Sequence, residues 1–497
     1  MVRITVSSIR PAIHRPALRA LIALVLVAVS ASVWFGLYPG PEPTGQVAIA
    51  APGASPSAGP SNAASAGWTA EPMRPSSAGP SPRSSSTVRP AAGAGAAPSP
   101  GGSAAATPQP AASASPGLTS TGSPVEVPVA ALARSATDAT RKALTQRLGT
   151  LRATYGMPGV SAAILFPDGT MWRATSGFAD VAAKRRLTAD TEFAVASISK
   201  TFLAALILVL DDEGSLDPEA PVTAYLPALT IDPAITIRQL LDHTSGLHDF
   251  FYDPEIDEAL LADRTRTWTA EEALSYVGKP YFEPGAGWHY SNTNYVILGM
   301  VAEAVGGAPL AEQLRTRFLA PLGLDHTHYQ GVEKPLGPVA RAYRFSGPGL
   351  RLRPIPLSDG SNIVPFTSVV TAAGSAGSIA STADDLVTWA KALYGGRLLS
   401  PAALTTMLAD VAMTAQFKPS IPYGLGVQAA TVDGRPTLGH SGRLLGSRTV
   451  VRWLPDQGMA IAVLTNQSRN DPNLVARALI RVVLGTPIEC SSCTADR

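Results

Sequence analysis

A serine with a lysine three residues on, a tyrosine and an asparagine two apart, and a histidine followed by serine and glycine are the residues of this chain best suited to covalent chemistry. They stand in order as Ser197-Ile198-Ser199-Lys200, Tyr290-Ser291-Asn292 and His440-Ser441-Gly442. A serine hydroxyl is a weak nucleophile until a neighbouring base takes its proton. Lysine can be that base only where burial or nearby positive charge lowers its pKa. Residues three apart on a helix share a face, so the Lys200 amine is expected beside the Ser197 hydroxyl. A helix start at Ser197 also favours negative charge on that oxygen. The residues after Lys200 (Phe202, Leu203, Ala204, Ala205 and Leu206) are apolar, which predicts a buried amine. Tyr290 is expected to shuttle protons to the leaving group, and the Asn292 amide to orient a substrate carbonyl and Lys200. Gly442, with no side chain, is expected to let backbone approach the substrate closely.

Each motif has a bland reading. Ser-x-x-Lys alone fits a serine near a helix start and a surface lysine equally well. Tyr-x-Asn fits a buried tyrosine beside a capping asparagine, and a lone histidine is usually structural. The set, in this order, points to acyl transfer through a serine ester. The chain has no Gly-x-Ser-x-Gly elbow and no His-Glu-x-x-His zinc motif, so other nucleophile and metal plans find no support, and no cofactor is expected. His243 reads as a residue that orders its loop, and His326 and His328 as a solvated loop.

Helices and strands must hold these groups in place. Residues 130–155 carry helical spacing, with Leu144, Leu148 and Leu151 on one side. Strand-like runs follow at 160–166 and 171–177, joined by Pro167-Asp168-Gly169, a hairpin signal. An extended run, 192–196, gives way to a helix over 198–212 that begins beside Ser197. Tyr290-Ser291-Asn292 reads as a loop entering a helix, and His440 as the end of a strand over 435–439. Further strands are expected at 424–430, 447–454 and 459–465, and a closing helix at 474–484. The fold class is therefore α/β of the α+β type: an antiparallel sheet built from both ends of the domain, flanked by helices, with a mostly helical middle.

Before the domain lies a different kind of chain. Arg3, Arg10, Arg15 and Arg19 precede an uncharged stretch, 20–38, long enough at about 1.5 Å per residue to cross a bilayer core of about 30 Å. The charge bias predicts a basic cytoplasmic N-terminus (1–19) and an N-in, C-out membrane helix (20–38). Ser30-Ala31-Ser32 offers cleavage positions for a signal peptide, but the apolar run continues through Val33, Trp34, Phe35 and Leu37, which favours an uncleaved anchor. Either way the rest is exported. Residues 39–124 are dominated by Ala, Pro, Ser and Gly and are expected to form a disordered spacer, because they cannot bury enough apolar surface to offset their ordering entropy.

The catalytic domain is assigned to 125–487 and a tail to 488–497. The two cysteines, Cys490 and Cys493, lie in that tail, where a local disulfide and two free thiols are equally open readings. Lys+Arg 39 against Asp+Glu 37 leaves a net charge of +2. That balance gives no footprint for nucleic acid. The expected partners are a small molecule or a peptidoglycan peptide, and the membrane through the N-terminal helix.

Ser197-x-x-Lys200, Tyr290-x-Asn292 and His440-Ser441-Gly442 resemble the three signatures of the class C β-lactamase and serine D-Ala-D-Ala carboxypeptidase family. Supporting stretches resemble it too: Leu240-Leu241-Asp242-His243-Thr244-Ser245-Gly246-Leu247, Pro321-Leu322-Gly323-Leu324-Asp325-His326-Thr327, the run 377–386, and Tyr423-Gly424-Leu425-Gly426. They span 139–484. The resemblance implies a helical subdomain inserted at 237–343 and a site in the cleft between it and the sheet. It implies Ser197 as the acylated nucleophile, Lys200 and Tyr290 sharing acid and base work, and Asn292 on the substrate amide. It also implies an oxyanion hole from the backbone N–H groups of Ser197 and Arg443, each such donor being worth about 3 kcal/mol in the transition state. His440 stands where β-lactamases of the family usually carry Lys. An imidazole is mostly neutral at pH 7, so the substitution weakens the β-lactamase reading and leaves carboxypeptidase and esterase.

Overall fold

A computed structural model of the chain describes residues 135–346, 353–409, 414 and 421–485. Its strands are β1 (Gly159–Leu165), β2 (Met171–Asp180), β3 (Arg185–Arg186), β4 (Phe193–Ala194), β5 (His328–Tyr329), β6 (Ala342–Ser346), β7 (Arg353–Leu357), β8 (Ile379–Ser381), β9 (Gln428–Val432), β10 (Arg435–Leu444), β11 (Ser447–Leu454) and β12 (Met459–Thr465). Helices α1 (Asp138–Thr154), α2 (Ser199–Asp212), α3 (Ile237–Leu241), α4 (Pro254–Ala262), α5 (Ala270–Leu274) and α6 (Asn292–Gly306) come first in the chain. They are followed by α7 (Leu310–Leu314), α8 (Ala320–Leu322), α9 (Thr367–Ala373), α10 (Ala383–Tyr394), α11 (Pro401–Ala409) and α12 (Pro472–Leu484).

The main sheet is antiparallel, in the order β3-β2-β1-β12-β11-β10-β9. The two ends of the domain meet where β1 pairs with β12, from Val160 opposite Thr465 to Leu165 opposite Ala460. Side chains alternate across a strand. Val160, Ala162 and Ile164 of β1 and Ile461 and Val463 of β12 pack with Leu144, Leu148 and Leu151 of α1 and Leu479 and Ile480 of α12. Ala163, Ala460, Ala462 and Leu464 belong to the second core, with Leu386 and Trp389 of α10. Both faces are covered, which is why these strands read as nearly continuous apolar runs and not as alternation.

A small sheet, β4-β8-β5, lies just before the nucleophile. The helical middle begins with α2, whose residues Ser199 to Leu208 are all buried. Phe202 stacks on Trp389 with ring centroids 3.9 Å apart, and the Trp389 indole N–H donates to Thr201 Oγ1 at 2.9 Å.

Several expectations shift at their edges. The strand expected to stop at Gly439 continues to Leu444, so His440-Ser441-Gly442 lies within β10, paired with Val451, Val450 and Thr449 of β11. The helix expected over 198–212 is preceded by a single tight turn, Ala196–Ile198. His326 and His328 are not a solvated pair. His328 is buried, its Nδ1 lies 3.0 Å from a carboxylate oxygen of the buried Glu192, and His326 Nδ1 lies 3.1 Å from the other oxygen. The pairing of β5 and β4 with β8 brings these groups together from more than 130 residues apart, a distance that local patterning does not report. Among the described residues no single helix is long and apolar enough to cross a membrane. The expected anchor (20–38), the spacer (39–124), Cys490 and Cys493 lie outside them.

Candidate active site

Ser197 sits in the turn between β4 and α2, and its neighbours β8 and β11 fix that turn from two sides. Val195 N–H donates to Ile379 O at 3.0 Å, and Ile379 N–H donates to Ser199 Oγ at 3.1 Å. From β11, Ser447 Oγ donates to Ala194 O at 2.8 Å and Thr449 Oγ1 to Val195 O at 2.9 Å. Ala196 then takes a φ of +51°, in the left-handed region an alanine rarely adopts. Such backbone strain persists only where surrounding contacts over-determine it, as these four hydrogen bonds do.

Lys200 is fully buried, and its Nζ donates to Ser197 Oγ at 3.2 Å, to Asn292 Oδ1 at 2.8 Å and to Ala376 O at 2.8 Å. Removal from water pushes its pKa down to about 7, against the opposing pull of Asp249. Two of its three partners are carbonyl oxygens, which only accept. When Lys200 loses a proton, its two remaining N–H bonds are held by those oxygens and its lone pair faces Ser197, the one partner that can donate. The geometry sets up Lys200 to deprotonate Ser197.

Asn292 is the first residue of α6, with Ser291 at the N-cap. Its Nδ2 donates to Asp249 Oδ2 at 2.8 Å. Asp249 is fully buried, and that burial raises its pKa to about 6 although Asn292 and the Phe251 N–H donate to it. Asp249 was not singled out by the sequence. It follows Gly246-Leu247-His248 with no motif of its own, and only the docking of its loop on α6, through Ser245 to Asn294 at 2.8 Å and Thr293 to His248 O at 2.6 Å, brings it here.

Tyr290 is buried, its ring centroid 5.0 Å from Lys200 Nζ and 4.3 Å from the His243 ring. His243 orders this loop as expected: it is buried, and its Nδ1 accepts the Ser291 backbone N–H at 3.2 Å. His440 is also buried. Its Nδ1 donates to Ser441 O at 2.7 Å and its Nε2 accepts from the Tyr423 hydroxyl at 3.0 Å. A carbonyl only accepts, so Nδ1 carries a proton. Burial, with Lys200 nearby, pushes its pKa down to about 3. Its ring centroid lies 6.4 Å from that of Tyr290. His440 is a neutral wall of the site and carries no charge for a substrate carboxylate.

The other predicted residues divide. Ser197, Asn292 and Arg443 line one cleft of about 750 Å³ that opens to solvent. The Ser441 hydroxyl accepts from the buried Arg452 at 3.0 Å and from Asn473 at 3.4 Å. Gly442 is required by the protein's own packing. A Cβ there would stand 2.0 Å from Val195 O and 2.2 Å from Thr449 Oγ1, so the bare backbone lets β10 and β11 close on the nucleophile turn.

A cleft-facing serine on a buried lysine, with an asparagine and a tyrosine over the pair, set between a two-ended antiparallel sheet and a helical insertion, defines a serine hydrolase of the β-lactamase fold. The Beta-lactamase family profile matches residues 142–485, and the chain belongs to that family. Penicillin-binding protein 4* of Bacillus subtilis is 28% identical over 335 residues, covering 65% of this chain and 71% of that protein. A D-aminopeptidase of Cereibacter sphaeroides is 26% identical over 349 residues, covering 69% of this chain and 63% of that protein. The solved structure of a D-stereospecific amidohydrolase from Streptomyces sp. superposes with a TM-score of 0.60 at 30% identity, covering 70% of this chain and 99% of that one.

Proposed function

We propose that the chain is an extracytoplasmic hydrolase that cleaves an amide bond next to a D-amino acid, as in a D-alanyl-D-alanine carboxypeptidase or a related amidase. The observation that carries the reading is the three-way hydrogen bonding of Lys200, which leaves Ser197 as the one partner able to give it a proton. Ser197 attacks the carbonyl as Lys200 takes its proton. The backbone N–H groups of Ser197 and Arg443 receive the oxyanion, and Tyr290 carries a proton to the departing amine. Water then attacks the acyl-serine.

The D-configured substrates named for the D-aminopeptidase and the amidohydrolase support this choice. The neutral His440 supports an amidase over a β-lactamase, because it supplies no cation for the carboxylate of a β-lactam. The anchor and spacer expected from the sequence at 20–38 and 39–124 support a site held outside the membrane, facing wall peptides. A fluorophosphonate and a fluorescent penicillin are expected to label the full-length chain at Ser197, and Ser197→Ala to abolish labelling. Hydrolysis of a D-Ala-D-Ala peptide, a D-amino-acid amide, a p-nitrophenyl ester and a chromogenic cephalosporin then ranks substrates. Labelling by neither probe would sink the hydrolase reading and leave a binding protein.

A further inference from the structure

The cleft at Ser197 holds a carboxylate that acyl transfer does not use. Asp257, on α4, lines the cleft together with Ser197, Asn292 and Arg443. Around it the wall is apolar, built by Phe251, Leu260, Leu261, Phe366 and Val369. A carboxylate drawn away from water ordinarily acquires a hydrogen-bond donor or a cation, because leaving its charge bare is costly. Asp249, the other carboxylate of this region, follows that rule through Asn292 and the Phe251 N–H. Among the described residues, none hydrogen-bonds or ion-pairs with Asp257. Burial pushes its pKa up to about 7, with no cation acting on it. The protein therefore keeps an unpaired acid in an apolar cleft beside its nucleophile, an arrangement that a ligand supplying both a cation and an apolar body would complete.

We infer that Asp257 seats a primary ammonium group of the substrate, so that the preferred substrate is a D-amino-acid amide or peptide carrying a free amine on an apolar body. This rests on the amide-hydrolase reading above and narrows it. An N-terminal amine and the side-chain amine of a diamino acid share the chemistry that Asp257 would recognise.

Binding can be read without turnover. The full-length Ser197→Ala chain is titrated calorimetrically at pH 7.5 with D-phenylalaninamide, with N-acetyl-D-phenylalaninamide, and with Nα-acetyl-D-lysinamide, whose only amine is on the side chain. One of the two amines is expected to bind at least tenfold tighter than the N-acetyl phenylalanine compound, and which one does so tells an α-amine from a side-chain amine. Adding Asp257→Asn should bring all three within about twofold, and Asp257→Glu should keep part of the preference. Equal affinities in Ser197→Ala, or a preference that survives Asp257→Asn, overturn the assignment. Fluorophosphonate labelling of the single Asp257→Asn variant reports that its site is folded. Turnover of the same amides by the wild type is measured separately. If no amide is cleaved while the ammonium preference holds, the amide-hydrolase reading falls and the Asp257 site stands.

Discussion

Asn292 turns its amide nitrogen to the Asp249 carboxylate and its oxygen to the Lys200 amine, both at 2.8 Å. The orientation is forced, since a carboxylate accepts and an ammonium donates. Asp249 therefore acts on Lys200 through one intervening side chain, pulling its pKa upward while burial pulls it down.

Asp249→Asn should move the acid limb of kcat/KM to lower pH. Activity needs neutral Lys200, so it rises with pH through a value near 7. The other groups around the amine, His243, His440, Tyr290 and Tyr295, carry no charge that would restore the lost attraction. Removing the Asp249 charge should lower the limb by about half a unit to one unit. A pH profile of acylation by the fluorophosphonate measures it; an unmoved limb would disconnect Asp249 from Lys200.

Lys200→Met should lower kcat/KM by about 10³-fold with the fold retained, because it removes the base and keeps the apolar stem. Lys200→Arg should not rescue, since a guanidinium stays protonated and has no lone pair to offer. Acyl-adduct formation followed by intact-protein mass spectrometry is the check, and an active Arg variant would assign the base elsewhere.

His440 should make the domain acid-sensitive. Its pKa is depressed in the folded protein, so its contribution is fully present above about pH 6.5 and drains as pH falls toward 3, where the unfolded chain takes up a proton that the folded one refuses. By pH 5 that amounts to about 2 kcal/mol. His243 shifts in the same direction, while Asp249, raised to about 6, works the opposite way below that pH. Urea unfolding at pH 7.5 and 5.0 should show a smaller pH dependence for His440→Gln than for the wild type. Equal dependence in the two proteins would mean that His440 titrates normally.

Gly442→Ala should cost both activity and stability. The added Cβ meets Val195 O and Thr449 Oγ1, one of them backbone, so β10 must move away from the nucleophile turn. A fall in kcat/KM of about 10²-fold is expected, as for a displacement of about 1 Å in catalytic groups, together with a lower Tm in thermal denaturation. An alanine variant with unchanged kinetics would show that the strand has slack there.

Much of the frame was legible locally. The strands at 447–454 and 459–465 and the Ser-x-x-Lys helix carry their own apolar runs and turn residues, and their observed limits are β11, β12 and α2. The strand expected to end at Gly439 runs on through His440-Ser441-Gly442, because the missing side chains of Gly439 and Gly442 admit the backbone of Val451 and Val195. Asp249 and the burial of Glu192 with His328 left no local mark.

By itself, the sequence determined which groups can react: a serine, a lysine one helical turn away, a tyrosine and an asparagine in a loop that starts a helix. Those are properties of residue type and short spacing, fixed by the pitch of a helix and the chemistry of a hydroxyl. Only the tertiary structure decided the protonation states on which their use depends. A lysine becomes a base near pH 7, and a histidine becomes a neutral wall, because segments from across the chain remove water from both and hand each its hydrogen-bond partners. Desolvation is a property of the assembled surroundings, and no local pattern of residues encodes it.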